Sequence, residues 1–419
     1  MIGSPAGTIV AIRGGLVEAR MPAVCIGAGA RIVTRDGRLV PARVTAVDGE
    51  RIRLAPFAGV DGIAAGDRVD ADPGALNVCI GSAVLGRAID ALGAPLDGRP
   101  APRGKRSGSG GGHVPADRRP ICTRFTTGIR AIDGPLTFGV GARIGIFGPP
   151  GCGKSTLLET IVDGSSADVT VVALVGERGR EAQRWIARLD ARTTVVCATS
   201  DRSAAERLRA AEVGFIAAEA LRRRGLNVLL VLDSLARVAA AARDVGVAAG
   251  EPVGRGGYPP SVFSLLAQLL ERAGQFAVGS ITLVATVLTD GADERDPVSE
   301  ACRSVLDGHL ALSERLARQG WFPAIDVPAS TSRTLADVAS PAHRAAAQSL
   351  RHAVAVLDET REARGFGLDP GAGDAAVRRA VAAEASLAAF LRQSGPADPS
   401  ETLTKLGVLA DTLSDGYTR

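Results

Sequence analysis

The fold follows from one segment of the sequence, Gly148-Pro149-Pro150-Gly151-Cys152-Gly153-Lys154-Ser155, which fits the G-x-x-x-x-G-K-[ST] phosphate-binding loop at every fixed position. The apolar run at 142–147 predicts a buried strand before the loop, and the segment at 156–161 predicts a helix after it. Glycines let successive backbone N–H groups turn towards a polyanion, and the helix N-terminus adds the positive end of its dipole. The segment therefore predicts a nucleotide-binding site.

Two side chains of this loop are predicted to carry its chemistry. Lys154 can reach the terminal phosphates of a nucleotide, and the hydroxyl of Ser155 can ligate Mg²⁺. Only three of the 49 Lys and Arg residues are lysines, at positions 105, 154 and 405. Arginine would be too bulky here, and its planar fork does not act as a compact charge. A glycine-rich turn that fits the pattern by chance is the alternative interpretation.

Composition narrows the classes of protein that the chain can belong to. Its 419 residues predict two or three domains, and 46% apolar with 22% charged residues is typical of a soluble globular protein. Six scattered cysteines without a C-x-x-C pair argue against a disulfide framework or a zinc site. The sequence shows neither a membrane-spanning apolar run nor a secretion signal, so we expect a cytoplasmic protein. A net charge of +4 and 3% aromatic residues argue against specific nucleic-acid binding.

Three regions differ in their sequence patterns. Residues 1–85 are predicted to form a small β-barrel, because short alternating runs are separated by Gly and Asp-Gly turns. Residues 86–340 are predicted to form a RecA-like P-loop ATPase domain with an α/β sheet, interrupted by a flexible Gly/Ser-rich loop at 103–116. Residues 341–419 are predicted to form a helical domain. The strands of the barrel are expected at 8–12, 31–34, 41–47 and 51–54, those of the sheet at 142–147, 169–175, 194–199, 227–232 and 280–288, and the C-terminal helices at 342–362, 373–393 and 400–413.

A carboxylate is expected beside the phosphate loop at the end of the apolar run 228–232. In open α/β sheets the ligand lies at the carboxyl ends of the strands, and Asp233 follows that run directly. We predict that Asp233 is the acid on the Mg²⁺ side of the site, acting through water. A strand-ending Asp that serves only a turn is the alternative.

A second carboxylate follows the strand predicted at 169–175. Glu177 is placed to orient or deprotonate an attacking water, with Arg178 available to bind the leaving phosphate. Glu181 is predicted to lie in the outer shell of the metal. The alternative is a solvated, salt-bridged helix start, which is the usual meaning of a charge cluster.

Several segments resemble one family of proteins. The run Gly176-Glu177-Arg178-Gly179-Arg180-Glu181 resembles the signature of ATPases similar to the catalytic subunit of rotary ATP synthases. The segment at 127–134 resembles the stretch before the phosphate loop in that group. Four further segments, at 257–263, 270–274, 306–309 and 322–333, are similar to the export ATPases of flagella and of type III secretion injectisomes. The resemblance runs from about residue 8 to 393, and the phosphate loop is more similar to the injectisome branch.

The resemblance implies a role for each site residue. Lys154, Ser155 and Thr156 would bind phosphates and Mg²⁺, Glu177 would be the catalytic carboxylate with Arg178 beside it, and Asp233 would be the Walker B acid. Phe322 stands where the family usually has a Tyr against the adenine, and stacking needs only the ring. Arg333 falls at the position of a trans-acting arginine finger. The alternatives are a core aromatic residue for Phe322 and an Arg that anchors a turn for Arg333.

The resemblance also implies partners. It predicts an ATP- and Mg²⁺-dependent homohexamer with each nucleotide between two subunits, at the cytoplasmic face of the inner membrane. It further predicts secreted proteins, their chaperones, and the stator and central-stalk proteins of the export apparatus as partners, without a specific nucleic acid. Membrane association would be peripheral and through the apparatus.

Other functions fit parts of the same sequence. A flagellar export ATPase is the nearest alternative, followed by a rotary ATP synthase subunit, although the run Gly257-Tyr258-Pro259-Pro260-Ser261-Val262-Phe263 favours export. A ring-shaped nucleic-acid translocase would need aromatic or basic readout in the barrel, where Phe57 is the one aromatic residue between positions 8 and 85. A catalytically dead regulatory subunit is the last alternative, and the presence of Lys154, Glu177 and Asp233 argues against it.

Overall fold

The computed structural model describes residues 5–108, 117–289, 296–368 and 374–414. Most of the flexible loop predicted at 103–116 lies outside these ranges. The three predicted parts are all observed: an N-terminal barrel, a central mostly parallel sheet and a helical C-terminal region.

Six strands close the barrel in the order β1-β2-β5-β4-β3-β6, and all neighbouring pairs are antiparallel. They are β1 (Ala6–Arg13), β2 (Leu16–Arg20), β3 (Gly29–Val33), β4 (Leu39–Asp48), β5 (Arg51–Pro56) and β6 (Arg68–Ala71). Apolar side chains from alternate positions, such as Val17, Ile32 and Leu54, fill the interior. Closure removes the free edges that an open sheet would expose. Strands β2 and β6 were not predicted, because β2 begins with two adjacent buried residues that break the alternation and β6 has only four residues.

A short connection leads from the barrel to the central sheet. Strand β7 (Val78–Cys79) pairs with β9 (Arg106–Ser107), and a 3₁₀ helix covers Gly81–Val84 between the barrel and β8 (Ala88–Asp90). Strand β8 pairs with the outer edge of the central sheet.

The central sheet follows the order β19-β18-β12-β17-β15-β13-β14-β8, with β16 paired to β17. Besides β8, its strands are β12 (Arg143–Gly148), β13 (Val169–Val175), β14 (Thr193–Ala198), β15 (Asn227–Asp233), β16 (Gly274–Gln275), β17 (Ser280–Leu288), β18 (Gly308–Leu312) and β19 (Ile325–Ser332). Strands β10 (Arg124–Phe125) and β11 (Phe138–Gly139) form a separate antiparallel pair. The five predicted strands are confirmed. Strand β19 is antiparallel to β18, and this reversal matters for the site.

Helices cover both faces of the sheet. They are α1 (Arg130–Asp133), α2 (Lys154–Gly164), α3 (Gly179–Ala187), α4 (Ala204–Arg222), α5 (Leu235–Ala248), α6 (Pro260–Leu270), α7 (Pro297–Val305), α8 (Glu314–Arg318) and α9 (Leu335–Val338), with a 3₁₀ turn at Arg255–Gly257. One apolar cluster joins the sheet to α4, α5, α6 and α7, and the other joins it to α2, α3 and the C-terminal helices. Strands buried on both faces explain the continuous apolar runs in the sequence.

The described part of the C-terminal region contains four helices. They are α10 (Pro341–Glu359), α11 (Arg361–Gly365), α12 (Ala375–Leu391) and α13 (Pro399–Ser414). Arg130 attaches α12 to the nucleotide-binding region, because its side chain donates to the carbonyl oxygens of Phe390 (2.6 Å) and Ala389 (3.2 Å). These carbonyls at a helix C-terminus have no partner within the helix, so Arg130 satisfies them and complements the helix dipole. No helix in the described ranges is long and apolar enough to cross a membrane.

Candidate active site

The phosphate loop connects β12 to α2. Strand β12 ends at Gly148 and α2 begins at Lys154. Gly151 (φ 86°) and Gly153 (φ 82°) adopt the left-handed backbone conformation that favours glycine. Burial lowers the pKa of Lys154, and its Nζ donates to the carbonyl oxygens of Gly148 (2.9 Å) and Pro149 (2.6 Å). The ammonium is thereby held against the backbone of its own loop.

The remaining loop residues differ in exposure. Cys152 is buried and packs in the core beneath the loop, where burial raises the pKa of its thiol. Thr156 is exposed on the first turn of α2, and Ser155 is partly buried beside it. The hydroxyls therefore lie at the surface of the site, whereas Cys152 contributes mainly backbone to the loop.

Two buried carboxylates lie next to the phosphate loop. Strands β13 and β15 are parallel neighbours, and Asp233 pairs in register with Leu174, three residues before Glu177. Both carboxylates belong to residues that are only 8% exposed. The hydroxyl of Thr286, on the neighbouring strand β17, donates a hydrogen bond to the carboxylate of Asp233. The predicted meeting of Asp233 and Glu177 at one sheet edge is thus observed in the geometry.

The electrostatics of this pair favour proton transfer near neutral pH. Burial, followed by the negative charge of Asp233, raises the pKa of Glu177 to about 7. Burial also raises the pKa of Asp233, and the positive charge of Lys154 acts in the opposite direction. A carboxylate with a pKa near the working pH is suited to act as a general base, and such perturbed groups cluster at functional sites.

Arg237 is a site residue that the sequence analysis missed. Its Nε lies 3.8 Å from Oε1 of Glu177, and its charge lowers the pKa of that carboxyl against the effect of burial. Gly176 (φ 70°) leaves room for this approach, since a Cβ there would lie 3.3 Å from the Cβ of Arg237. A signal was present: Arg237 lies in the first turn of the helix that follows Asp233, and that turn starts at the ligand edge of the sheet.

Arg178 and Glu181 lie at the start of α3. Arg178 is exposed and immediately precedes the helix, and its carbonyl accepts a hydrogen bond from the backbone N–H of Glu181 (2.9 Å). The charge of Glu181 raises the pKa of both Asp233 and Glu177, which places it electrostatically within the carboxylate group. Arg178 is therefore an exposed residue at the junction between the end of β13 and the start of α3.

Phe322 lines a cavity next to the phosphate loop. The cavity has a volume of about 320 Å³, and Gly153 and Thr156 belong to its wall. A Cβ built on Gly153 would lie 3.3 Å from Cε1 of Phe322, so the ring packs directly on the loop. The residue is 45% exposed, which distinguishes it from a core aromatic. Gln393 also lines the cavity, and its backbone N–H donates to the carbonyl oxygen of Phe322 (3.1 Å).

Arg333 lies at the opposite end of the sheet from the phosphate loop of its own subunit. Strand β19 is antiparallel, so Ile325 pairs with Leu312 at the loop end and Ser332 pairs with Gly308 at the other. The backbone N–H of Arg333 donates to the backbone carbonyl oxygen of Asp307 (2.8 Å), beside the beginning of β12. At about 3.3 Å per residue, β12 separates Arg333 from the loop by roughly 16 Å. The exposed Arg333 therefore lies far from its own nucleotide site, and its Nη2 donates to the carbonyl oxygen of Arg303 (3.4 Å).

Comparisons with known proteins agree with this architecture. The nucleotide-binding domain model of the ATP synthase alpha/beta family matches residues 128–332, and the beta-barrel domain model of that family matches residues 9–71. The chain is 40% identical to a flagellum-specific ATP synthase of Treponema pallidum, over 96% of this chain and 92% of the relative. It is 43% identical to a type 3 secretion system ATPase of Sinorhizobium fredii, over 93% of this chain and 88% of the relative.

A solved structure is similar over nearly the whole chain. The assembled ATPase EscN from the type III secretion system of enteropathogenic E. coli superimposes with a TM-score of 0.91 at 39% identity, covering 96% of this chain and all of that one. EscN in complex with its central stalk EscO gives a TM-score of 0.88. The chain therefore belongs to the ATP synthase alpha/beta family, as a P-loop ATPase of the type III secretion and flagellar export group.

Proposed function

We propose that this protein is the ATPase of a type III protein secretion system, and that it hydrolyses Mg-ATP to drive chaperone release, unfolding and export of secreted proteins. The observation that carries the enzymatic part is the buried pair Glu177 and Asp233 beside the phosphate loop. Similarity to type 3 secretion system ATPases over almost the whole chain supports the secretion part.

Each residue of the site would have its own role in ATP binding or hydrolysis. The backbone N–H groups of the loop and Lys154 would bind the phosphates, and Phe322 would stack on the adenine from the adjoining cavity. Glu177 would orient and deprotonate the attacking water, with Arg237 holding its carboxylate. Arg178 would balance the charge that develops on the leaving phosphate.

Magnesium fits the donors that border the loop. The hydroxyl of Ser155 and the carboxylates of Asp233 and Glu181 are the hard oxygen ligands that Mg²⁺ prefers. Among the described residues no group of three or more His, Cys, Asp or Glu side chains could hold a metal by itself. Mg²⁺ is usually bound through one or two carboxylates together with substrate phosphates and water, which suits this donor set. Bound there, the ion would neutralise charge on the phosphates.

The functional unit would be a homohexameric ring at the cytoplasmic face of the inner membrane. Support comes from the assembled state of EscN and from its complex with a central stalk. The placement of Arg333 adds to this support, because a residue far from its own loop can serve the nucleotide of a neighbouring copy. We extend the proposal to stator proteins, secreted substrates and their chaperones as partners, with peripheral attachment to the membrane through the apparatus.

The flagellar branch is the second candidate, because a flagellum-specific ATP synthase is among the relatives with 40% identity. Both branches predict the same chemistry at Glu177. The branches differ in the proteins that they export, so the secretion of a strain carrying Glu177→Gln distinguishes them. Loss of injectisome substrates from the culture supernatant supports the first candidate, and loss of flagellar filament protein supports the second.

We expect a bacterial strain whose only copy carries Glu177→Gln to assemble the export apparatus but to secrete little substrate. Turnover should fall about 10²-fold without its general base, and export should fall with it. Secreted protein is measured in the culture supernatant, and assembly is checked by imaging the apparatus. Glu401→Gln, on an exposed face of α13, is the matched control. Unchanged secretion in the Glu177→Gln strain would contradict a role of ATP hydrolysis in export.

Replacing Lys154 by Ala should leave a folded protein that binds ATP poorly. The loop loses its one mobile cation, and a charge-assisted contact to phosphate is typically worth roughly 1.5–3 kcal/mol, so affinity should fall by about tenfold or more. Nucleotide binding is measured by titration, and thermal unfolding checks the fold. Lys405→Ala, which removes a solvent-exposed pair with Glu401, is the control. Near-native binding and turnover in Lys154→Ala would remove the phosphate loop from the mechanism.

A further inference from the structure

A second cavity, of about 510 Å³, lies at the end of β19 that is far from the subunit's own phosphate loop. Its walls come from the last residues of β19, from α9 and from one face of α10. Three arginines and a histidine line it: Arg333, Arg344, Arg351 and His352. None of its described lining residues is Asp or Glu, so the cavity is a concave surface of one charge sign.

Arg351 differs from the other arginines whose pKa is shifted. Arg43 contacts Glu212 through two hydrogen bonds of 2.6 Å each, and Arg143 contacts both Asp307 and Glu271. Burial acts to lower the pKa of those two guanidiniums, but their carboxylate partners outweigh it and raise the pKa above its ordinary value. Burial lowers the pKa of Arg351, and it is the one cause of that shift found within the described residues.

Among the described residues, no carboxylate shifts the pKa of Arg351 or lines its cavity. Its Nη2 donates one hydrogen bond to the backbone carbonyl of Ser330 (3.0 Å), which fixes the side chain against β19. A partly desolvated cation without an anionic partner is unfavourable, and binding an anion from outside would relieve the cost. A charged side chain held in place at the wall of an open cavity is suited to receive such an anion.

The anion that Arg351 would bind is not the nucleotide held by the phosphate loop of its own subunit. That nucleotide site lies at the Ile325 end of β19, whereas the cavity extends along the strand from Pro328 to Ser332 and Arg351 is fixed at Ser330. Five residues separate Ile325 from Ser330, which amounts to roughly 17 Å at about 3.3 Å per residue. The cavity is continuous with Arg333, the residue proposed to enter the nucleotide site of a neighbouring copy.

We propose that Arg351 binds, in trans, the nucleotide held by the phosphate loop of the neighbouring subunit, alongside Arg333. The inference rests on the proposed ring. Ser330, which anchors Arg351, precedes Arg333 by three residues, or about 10 Å along the strand. The two arginines therefore contact different parts of one nucleotide. Arg333 acts on the phosphoryl group that reacts, and Arg351 binds a group whose charge does not change in the reaction.

This division predicts a difference in kinetics. An interaction that is equal in the ground state and the transition state changes KM and leaves kcat unaltered. Arg351→Gln should therefore raise KM for ATP in assembled rings by about tenfold, the usual effect of losing one hydrogen bond to a charged group. Its kcat should stay within about twofold of the unchanged value. Isolated subunits of the same variant should bind ATP normally, because their own site lies at the other end of the sheet.

The experiment measures ATPase kinetics of assembled rings and ATP binding to isolated subunits at concentrations below assembly. The variants are Arg351→Gln, Arg351→Lys and the control Arg361→Ala, which loses only an exposed pair with Asp358. Thermal unfolding checks each fold, and Arg351→Lys, which keeps the charge, should recover part of the affinity. Equal weakening in rings and isolated subunits would overturn the inference, since Arg351 would then act within its own subunit.

Two further outcomes would also overturn it. Loss of ring assembly by folded Arg351→Gln subunits would mean that the cavity receives a side chain of the neighbour and not its nucleotide. A fall in kcat at unchanged KM would place Arg351 in the chemical step. Arg333→Ala in the same assay separates this inference from the proposed ring. If Arg333→Ala is inactive and Arg351→Gln has normal kinetics, only the role of Arg351 is refuted. If Arg333→Ala keeps its ATPase activity, the shared site itself is refuted.

Discussion

Glu177→Gln should bind Mg-ATP almost as well as the unchanged protein, while turnover falls about 10²-fold or more, the scale of losing a general base. Gln keeps the size of the side chain and one hydrogen-bonding oxygen, but it cannot accept the proton of the attacking water. The residue is buried next to Asp233, so the substitution also removes a negative charge from a crowded site, and nucleotide affinity should not decrease. Binding titrations and single-turnover hydrolysis measure the two effects separately.

The pH dependence supplies an independent check of the same residue. Burial and Asp233 raise the pKa of Glu177 from its ordinary 4.5 to about 7, so the free enzyme keeps the proton until the pH approaches neutrality. The base is active only without that proton. The kcat/KM of the unchanged protein should therefore rise with pH through about 7 and level off above it, because kcat/KM reports the free enzyme.

The profile of Glu177→Gln should lack this rise. Glu401→Gln, an exposed carboxylate on α13, is the control and should show the normal profile and normal turnover. If affinity collapses in Glu177→Gln while turnover per bound ATP is preserved, Glu177 is a structural residue and the base lies elsewhere.

Arg333→Ala should reduce turnover by about 10³–10⁵-fold, the range that arginine fingers contribute in related phosphoryl-transfer enzymes. Its phosphate loop stays intact, because Arg333 lies at the other end of the sheet. A Lys154→Ala subunit has the complementary defect: its loop is inactive, but it still offers Arg333. Each variant alone should be almost inactive for a different reason.

Mixing the two variants tests whether the site is shared. When rings are dissociated and reassembled together, some interfaces pair an intact loop with an intact Arg333, and activity should partly return with a maximum at an intermediate ratio. Arg318→Ala, which removes an exposed ion pair with Glu314 on α8, serves as the control and should be fully active alone. A flat line at the baseline of the variants, with mixed rings shown to form, would place Arg333 within its own subunit or indicate that one inactive subunit stops the ring.

The sequence by itself determined the fold class and the central part of the site. The phosphate loop and the five strands predicted around it depend on local pattern, since apolar runs and glycines at fixed spacing leave few alternatives. Asp233 and Glu177 could be predicted together because the carboxyl ends of parallel strands share one edge. Their roles as metal ligand and base remain predictions, as do those of Arg178, Glu181, Phe322 and Arg333.

Only the tertiary structure decided which residues approach the site from distant parts of the chain. Strand β19 mixes polar residues with Pro328 and reads as a loop, yet its antiparallel pairing carries Arg333 away from the subunit's own nucleotide and beside Arg351 of α10. Arg237 reaches Glu177 across the space that Gly176 leaves open. Strand direction and packing between distant elements place Arg333 and Arg351, and a one-dimensional pattern of residues carries no record of either. Arg237 is the exception, because its position in the first turn after Asp233 was a signal in the sequence.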